Sequence, residues 1–456
     1  MSLPRLLLAG LGGDSGKTLV AAGLARCLSG RGFAPAAFKK GPDFIDAAWL
    51  GLAAGCPGRN LDTFIMDEDA VLWSLRRSAG FHDIAVIEGN RGLYDGFDFR
   101  GTHSSAALAR LTRTPVVLVV DCTKATRTIS ALVLGCQLLE PDVNLAGVIL
   151  NKVGTARQER VISKALRSDT GLPVLGVVPR MKTIMPARHL GLVTAAEHPE
   201  ARQVLERLGQ LARDHLDIDA LLEIADGAEE LPSVDYGFPR GSRRRIRAGV
   251  LRHPAFSFYY PENLEALEAA GAELVDVDPS AMSELPAIDL LLAGGGFPES
   301  HAGELAANRP FMDRLLRAIE GGLPVWAECG GLMYFSRWIE ERGARRKMVG
   351  ALPFGVVREG KPQGHGYVEA RIEEENPFLP VGTVVRGHEF HYSRVADETS
   401  GSCVMRLSRG VGLGNGRDGV LTGRLFACYT HLHALGVPGW AACLVDAASG
   451  GRDRWV

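Results

Sequence analysis

The sequence lacks the features of several large classes of protein. Its 456 residues carry a formal net charge of −2, which gives no support for a nucleic-acid partner. No apolar run approaches the roughly 18 residues that a membrane-spanning helix needs. The amino-terminal residues also lack the layout of a signal peptide. We therefore expect a cytoplasmic protein with no nucleic-acid partner and no membrane span.

Disulfide and repeat patterns are missing as well. The eight cysteines are scattered and no two of them form a CxxC pair, which is typical of thiols that are kept reduced. The chain has neither an internal repeat nor a low-complexity tract. At 456 residues it is too long for one ordinary core, so we expect two domains.

The order of apolar and polar segments predicts an α/β protein. Short apolar runs alternate with helical stretches in the first half, as in a parallel sheet with helices on both faces. A second α/β series begins at Ile246, after a stretch rich in Pro, Gly and Ser at 231–242. We place a P-loop domain at 1–235, a linker at 236–245 and a second α/β domain at 246–456. The strands predicted in the first half are 5–9, 34–38, 84–88, 116–121, 146–150 and 174–178.

A phosphate-binding loop follows the first predicted strand. Glycine-rich backbone amides can wrap phosphate oxygens, Lys17 can reach the outer phosphates, and the Thr18 hydroxyl can ligate Mg²⁺. Leu11 stands where the usual motif has its first glycine, which indicates a longer version of the loop. The predicted ATP-binding residues are Gly12, Gly13, Asp14, Ser15, Gly16, Lys17 and Thr18, with Asn151 and Lys152 as candidates for holding the base.

Carboxylates follow two other predicted strands of the same sheet. Asp43 comes after the strand 34–38, and Glu88 ends the strand 84–88. Because ligands bind at the carboxyl edge of such sheets, we predict a Mg²⁺ site formed by Thr18, Asp43 and Glu88. Asp43 beside Pro42, and Asp95 before Gly96, could equally be turn formers.

The most informative stretch of the second half surrounds Cys329. An apolar, strand-like segment ends there, and Gly330 and Gly331 precede a helix-like segment. This is the pattern of a nucleophile elbow, in which a helix amino terminus is expected to lower the pKa of the thiol. The alternative is an inert buried thiol at the end of a strand.

A thiol nucleophile needs an oxyanion hole and a base. The amides of Gly295 and Gly296 could form the hole together with that of Gly330. His431 is our candidate base, and His433 stays open because residues two apart on a strand point the same way. A zinc site built from Cys428, His431 and His433 is a competing interpretation, although its spacing fits no standard ligand pattern.

Seven stretches of the chain together resemble the cobyrinic acid a,c-diamide synthase family. The resemblance implies a dethiobiotin-synthetase-like P-loop domain joined to a class I glutamine amidotransferase domain with a Cys–His pair. It also implies that Cys329 and His431 release ammonia from L-glutamine while Mg²⁺-ATP phosphorylates a tetrapyrrole carboxylate. Ammonia would then replace the phosphate on the a and c acetate side chains. The matching stretches are 41–46, 88–89 with 92–96, 188–192, 256–264, 295–299, 328–334 and 387–393.

The resemblance leaves the macrocycle open. Relatives that amidate sirohaem or nickel-sirohydrochlorin share this architecture, and the chain departs from the family pattern at 12–15 and at Asn90 and Arg91. The sequence does not decide the oligomeric state, for which a homodimer is one expectation. The residues expected to bind the tetrapyrrole are Asp46, Tyr94, Asp95, Arg188 and His189.

Two other classes compete with this interpretation. A partition or septum-site ATPase would carry a signature lysine where this chain has Gly12, and it would leave the second half unexplained. A dethiobiotin-type carboxylase fused to a domain with a dead thiol is opposed by the intact Cys329 and His431.

Overall fold

The computed structural model divides the chain into two units. One consists of Met1–Thr63 and Asp67–Tyr236, and the other of Phe64–Met66 and Gly237–Val456. The structure describes residues 3–181, 187–188, 191–192, 198, 200–239, 245–396 and 402–450, with backbone only at 187–188 and 191–192.

The first unit is an α/β domain. Its strands are β1 (Arg5–Gly10), β2 (Pro35–Lys40), β3 (Arg59–Leu61), β4 (Ile84–Gly92), β5 (Val116–Asp121), β6 (Leu145–Val153), β7 (Val174–Pro179), β8 (Ala187–Arg188) and β9 (Gly191–Leu192). Its helices are α1 (Lys17–Gly30), α2 (Phe44–Ala54), α3 (Glu68–Ala79), α4 (Ser105–Leu111), α5 (Thr128–Leu139), α6 (Ala156–Thr170), α7 (Ala201–His215) and α8 (Ile218–Asp226).

Seven of these strands form one parallel sheet in the order β3-β2-β4-β1-β5-β6-β7. β1 is buried along its whole length and β4 as far as Gly89, because parallel strands are covered by helices on both faces. β1 lies between β4 and β5, with Leu7 in register with Ile87 and Val116. The ends of β1 and β4 therefore meet at one edge of the sheet, as the sequence predicted.

The second unit contains a ten-stranded mixed sheet. The strands of the unit are β10 (Ile246–Leu251), β11 (Ala272–Val277), β12 (Leu290–Ala293), β13 (Val325–Glu328), β14 (Trp338–Glu341), β15 (Ala344–Lys347), β16 (Val356–Arg358), β17 (Gly364–Ile372), β18 (Val384–His391), β19 (Ser393–Val395), β20 (Ser402–Arg409), β21 (Arg417–Thr422), β22 (Leu425–Cys428) and β23 (His431–Leu432). Its helices are α9 (Pro261–Ala269), α10 (Ala302–Ala307), α11 (Arg309–Glu320), α12 (Gly330–Phe335) and α13 (Trp440–Ser449). A smaller sheet has four strands in the order β15-β14-β16-β19.

The parallel part of this sheet places the predicted elbow at its centre. The order in the ten-stranded sheet is β11-β10-β12-β13-β22-β21-β20-β17-β18-β23, and the first five strands in this order are parallel to one another. β13 pairs with β12 and with β22 through buried residues such as Ala327. The predicted α/β class is confirmed in both units.

Two expectations about the whole chain can be compared with the structure. All eight cysteines are free thiols. Within the residues described above, no helix combines the length and the apolar composition that a membrane crossing requires.

Candidate active sites

The phosphate loop connects β1 to α1 in the first unit. Gly16 precedes α1 with φ 91°, a left-handed conformation that favours glycine. A Cβ atom at Gly16 would lie 2.1 Å from Nδ2 of Asn151, so glycine is also required by close packing. The end of β6 therefore lies directly against the loop.

Asn151 and Lys152 hold this loop by its backbone. Asn151 Nδ2 donates to the carbonyl of Ser15 over 2.8 Å, and Lys152 Nζ donates to the carbonyl of Asp14 over 2.8 Å. Lys152 Nζ also lies 2.8 Å from Asp121 Oδ2, which anchors the lysine to the end of β5. These contacts are to the phosphate loop and to Asp121, and the predicted role of this pair in holding the base stays a prediction.

Lys17 occupies the position expected of a phosphate-binding lysine. Its ammonium group is buried at the start of α1 and donates to the carbonyl of Gly12 over 2.9 Å. Burial lowers the pKa of Lys17, and the nearby charge of Lys39 lowers it further. A polyanion bound here would oppose both effects, because it would solvate and pair the ammonium.

Four polar side chains meet where β1, β2 and β4 end. Glu88 Oε1 accepts from Thr18 Oγ1 over 2.6 Å and from Lys39 Nζ over 2.8 Å. Lys39 Nζ also lies 2.7 Å from Asp46 Oδ2. Burial raises the pKa of Glu88 to about 7. Burial alone would lower the pKa of Lys39, but the charges of Asp46 and Glu88 outweigh it and raise that pKa.

This cluster has the donor set of a magnesium site. The second oxygen of Glu88, Oε2, is buried and has no hydrogen-bond partner among the described residues. It belongs to the carboxylate that contacts the Thr18 hydroxyl, and Mg²⁺ prefers such oxygen ligands. Asp43, the third predicted ligand, uses Oδ1 to cap α2 by accepting from the amides of Ile45 and Asp46 at 2.8 and 2.9 Å. These observations fit a cation at Thr18 and Glu88 better than at Asp43 Oδ1.

The predicted tetrapyrrole-binding residues lie in different environments. Tyr94 donates from its hydroxyl to the carbonyl of Cys136 over 2.6 Å. Asp95 accepts from the amide of Gly92 over 2.8 Å, the turn-forming alternative considered above. Asp46 pairs with Lys39, as described. Only the backbone of Arg188 is described, and His189 lies outside the described residues.

The second unit contains the elbow that the sequence predicted. Cys329 lies between β13 and α12 with φ 46° and ψ −97°, a strained conformation for a residue with a side chain. Its amide donates to the carbonyl of Cys428 over 2.7 Å, which ties the elbow to β22. Strain of this kind is typical of a nucleophile at a strand-to-helix turn.

The loop that follows β12 packs on this elbow. Gly331 donates from its amide to the carbonyl of Gly294 over 3.0 Å. A Cβ atom at Gly330 would lie 2.9 Å from the amide nitrogen of Gly296, and one at Gly331 would lie 2.4 Å from the carbonyl of Ala293. The three predicted oxyanion-hole residues, Gly295, Gly296 and Gly330, are thus next to one another.

His431 borders the same loop. A Cβ atom at Gly295 would lie 2.2 Å from His431 Cε1, so the imidazole lies against that glycine. His388 of β18 is in register with His431, and their rings stack with centroids 4.8 Å apart. Burial lowers the pKa of His388 well below its ordinary value, so this neighbour is neutral. Cys329 and His431 therefore flank one glycine loop.

His433 has different partners. Its Nε2 lies 3.6 Å from Glu262 Oε2, and its ring centroid lies 4.5 Å from that of Tyr260. The rule for residues two apart on a strand does not apply, because β23 ends at Leu432. The geometry favours His431 as the base.

The prediction that the helix amino terminus lowers the pKa of the Cys329 thiol is wrong. Burial raises the pKa of Cys329, the charge of Glu299 raises it further, and a hydrogen bond from the amide of Gly330 only partly offsets them. α12 has six residues, and its amino terminus does not reverse the shift. The thiolate therefore depends on a base that takes its proton.

The zinc interpretation is not supported. The Cys428 thiol donates to the carbonyl of Thr430 over 3.1 Å, and burial raises its pKa well above the ordinary value. Among the described residues, the group with metal-site geometry is instead His253, His301 and Glu304. There, His253 Nδ1 accepts from the amide of Ala255, so Nε2 carries the proton and faces Glu304 Oε1 at 3.4 Å. In that tautomer the nitrogen nearest the carboxylate carries a proton, so it is suited to a hydrogen bond with Glu304 rather than to a metal.

Two carboxylates near the elbow were missed by the sequence analysis. Asp418 is fully buried and accepts from the amides of Tyr429 and Thr430, both at 3.0 Å. It thereby fixes the chain that leads into His431. Its sequence context, an Asp before Gly419, is typical of an ordinary turn. Glu328 is the second, and it lies next to the nucleophile in the sequence.

Two family models match the two halves of the chain. A family model described as CobQ/CobB/MinD/ParA nucleotide binding domain matches residues 6–193, and one described as CobB/CobQ-like glutamine amidotransferase domain matches residues 247–438. The chain therefore joins a nucleotide-binding domain to a glutamine amidotransferase domain.

Curated relatives match over nearly the whole chain. A cobyrinate a,c-diamide synthase of Magnetococcus marinus is 42% identical over 97% of this chain and 96% of its own length. Those of Archaeoglobus fulgidus and Methanothermobacter thermautotrophicus are 39% and 38% identical, over 95% and 99% of both chains. The chain belongs to the cobyrinate a,c-diamide synthase family, and it is a carbon–nitrogen ligase with glutamine as the nitrogen donor.

Proposed function

We propose that this protein amidates the a and c acetate side chains of a cobyrinate-type tetrapyrrole, with ATP and L-glutamine as co-substrates. One observation carries the proposal: Cys329, whose backbone is strained, and the imidazole of His431 flank one glycine loop. A phosphate loop with an adjacent carboxylate cluster in the first unit supports the ATP-dependent half. We assign synthesis to residues 1–235 and the glutaminase to 246–456, joined by 236–245.

The glutaminase step begins with proton transfer. His431 takes the proton of Cys329, and the sulfur attacks the carboxamide carbon of glutamine. The amides of Gly295, Gly296 and Gly330 are placed to stabilise the resulting oxyanion. The proton then goes to the leaving ammonia, and water hydrolyses the thioester to glutamate.

The synthetase step activates a carboxylate that is otherwise a poor acyl donor. The phosphate loop with Lys17 binds the outer phosphates, and Thr18 and Glu88, with Asp43, would hold the Mg²⁺ of Mg²⁺-ATP. The metal would supply positive charge beside the transferred phosphoryl group. Asn151 and Lys152 keep the loop in shape. The activated carboxylate reacts with ammonia, which displaces phosphate and leaves a carboxamide.

The substrate assignment rests on the relatives, and sirohaem and nickel-sirohydrochlorin are the alternatives. Purified enzyme with ATP and glutamine should be offered cobyrinate, sirohaem and nickel-sirohydrochlorin, with products analysed by mass spectrometry. A gain of two carboxamides on cobyrinate alone supports the proposal. Amidation of another macrocycle instead of cobyrinate would contradict it, and so would amidation of none of the three.

We also propose a homodimer formed through α5. Leu132, Leu138 and Leu139 expose 52, 68 and 65% of their surface on this helix. In a two-fold symmetric pair, α5 of one copy would pack against α5 of the other and cover these leucines. Sedimentation of Leu138→Asp should give a monomer, whereas Val381→Asp, at another exposed apolar site, should keep the dimer. A wild-type monomer would contradict the proposal.

A further inference from the structure

Glu328 ends β13 immediately before the nucleophile, and its neighbours fix its carboxylate. Trp326 Nε1 donates to Glu328 Oε1 over 2.8 Å, and the amide of Leu432 donates to the same oxygen over 3.4 Å. The other oxygen, Oε2, lies 3.6 Å from Nδ1 of His431, with both side chains buried. The carboxylate is thus held on one side and faces the imidazole of the base on the other.

The other buried carboxylates around the elbow have different partners. Glu262 faces His433 at 3.6 Å. Asp418 accepts from two amides and from the Thr430 hydroxyl. Glu299 lies 3.9 Å from Arg358 and acts electrostatically on the thiol. Glu328 is therefore placed at ion-pair distance from His431, and the contacts described for the other three carboxylates are to different groups.

A histidine that takes a proton from a thiol must present an unprotonated nitrogen to the sulfur. The other nitrogen then carries its proton toward an acceptor, which selects the tautomer and stabilises the imidazolium. We propose that Glu328 is the positioning residue of the glutaminase: its carboxylate holds the proton of His431 on Nδ1 and leaves Nε2 for Cys329. This inference rests on the proposed function, since it assumes that His431 is the base.

The proton balance is simple. The S–H bond of Cys329 breaks as the Nε2–H bond of His431 forms, and that proton later leaves with ammonia. The described titratable groups beside His431 include Glu328 and neutral His388 of β18. Tyr259 and Cys428 are near Glu328, and burial raises the pKa of both phenol and thiol, so they are uncharged at neutral pH.

The test uses the full-length enzyme and the variants Glu328→Gln, Glu328→Asp and Glu262→Gln. Glu262→Gln is a matched control, because it removes a buried carboxylate 3.6 Å from the other histidine. Three readouts are needed: kcat and KM for glutamine hydrolysis, amidation with free ammonia, and the pH dependence of Cys329 alkylation by iodoacetamide. Ammonia-dependent amidation reports whether each variant is folded.

We expect Glu328→Gln to lower kcat for glutamine hydrolysis by about 10²–10³-fold, within the range of general-base effects. The KM for glutamine and amidation with ammonia should stay within about threefold of wild type. The pH profile of Cys329 alkylation should shift to higher pH by about one unit, because a neutral amide stabilises the imidazolium less than a carboxylate does. Glu328→Asp should show a smaller fall in kcat and a smaller shift of the alkylation profile than Glu328→Gln. Glu262→Gln should show neither change.

Two results would overturn the proposal. Wild-type hydrolysis and an unshifted alkylation profile in Glu328→Gln would show that the carboxylate is not needed. Equal effects in Glu262→Gln would show a general response to loss of buried charge. Cys329→Ala separates these results from failure of the proposed function, because glutamine hydrolysis that survives in Cys329→Ala would reject the nucleophile itself.

Discussion

Thr18 Oγ1 donates to Glu88 Oε1 over 2.6 Å, and this hydrogen bond connects the start of α1 to the middle of β4. It brings together a hydroxyl and a carboxylate that are seventy residues apart in the sequence. Because Glu88 also has a buried oxygen without a hydrogen-bond partner among the described residues, the pair is suited to a divalent cation.

Glu88→Gln should therefore weaken Mg²⁺-ATP binding. Replacing the carboxylate by a neutral amide removes the ligand charge, and we expect the affinity for Mg²⁺-ATP to fall by at least about tenfold. Affinity for ATP in excess EDTA should change little. Titration calorimetry with and without Mg²⁺ measures both, and an equal loss of affinity in the two buffers would contradict the metal assignment.

The same carboxyl predicts a pH dependence of stability. Burial raises the pKa of Glu88 from 4.5 to about 7, so between these values the folded protein keeps a proton that the unfolded chain has lost. The contribution of Glu88 to the free energy of unfolding must therefore fall as the pH rises through this range. Urea unfolding of wild type and Glu88→Gln in Mg²⁺-free buffer, from pH 5 to 7.5, should show wild type losing stability relative to the variant. A difference in the free energy of unfolding that stays constant across this pH range would contradict the raised pKa of Glu88.

Gly295 should not tolerate a side chain. A Cβ atom there would lie 2.2 Å from His431 Cε1, so Gly295→Ala must displace the imidazole or the loop. Because small misplacements at a reacting centre cost about 100-fold, we expect at least that loss in glutamine hydrolysis. Gly303→Ala is the control, since its Cβ would meet no described atom within 4 Å. Similar hydrolysis by both variants would mean that His431 does not need its place beside the loop.

Glu299→Gln should make Cys329 more reactive. Burial and the charge of Glu299 both raise the pKa of the thiol, so removing that charge should favour the thiolate. Alkylation of Cys329 should then shift to lower pH. Glu341→Gln is a matched control, because Glu341 also pairs with Arg358, at 3.5 Å. A shift of equal size in Glu341→Gln would show that the effect passes through Arg358.

Much of the fold was predictable from local pattern. Alternating apolar runs predicted each strand of the seven-stranded sheet except β3, which has only three residues and ends at Leu61. The glycines that precede Lys17 and follow Cys329 marked both turns, because tight turns and close backbone approach need glycine. These signals depend only on residues that are neighbours in the chain, so one sequence is enough to detect them.

The partners of the functional groups depend on strand pairing and could not be predicted. Glu328 meets His431 because β13 pairs with β22 and β23 pairs with β18. Asp418 meets the chain before His431 because β21 and β22 form an antiparallel hairpin. The pKa of Cys329 was mispredicted for the same reason, since a short helix was visible in the sequence but the burial and Glu299 were not.

The central claim is that ammonia released at Cys329 becomes the nitrogen of the product. Wild type and Cys329→Ala should be given ATP, cobyrinate and glutamine labelled with ¹⁵N in the amide, and the product analysed by mass spectrometry. We predict two ¹⁵N-carboxamides with wild type and none with Cys329→Ala, which should still amidate with free ammonia. Labelled product from Cys329→Ala, or unlabelled product from wild type, would contradict the account.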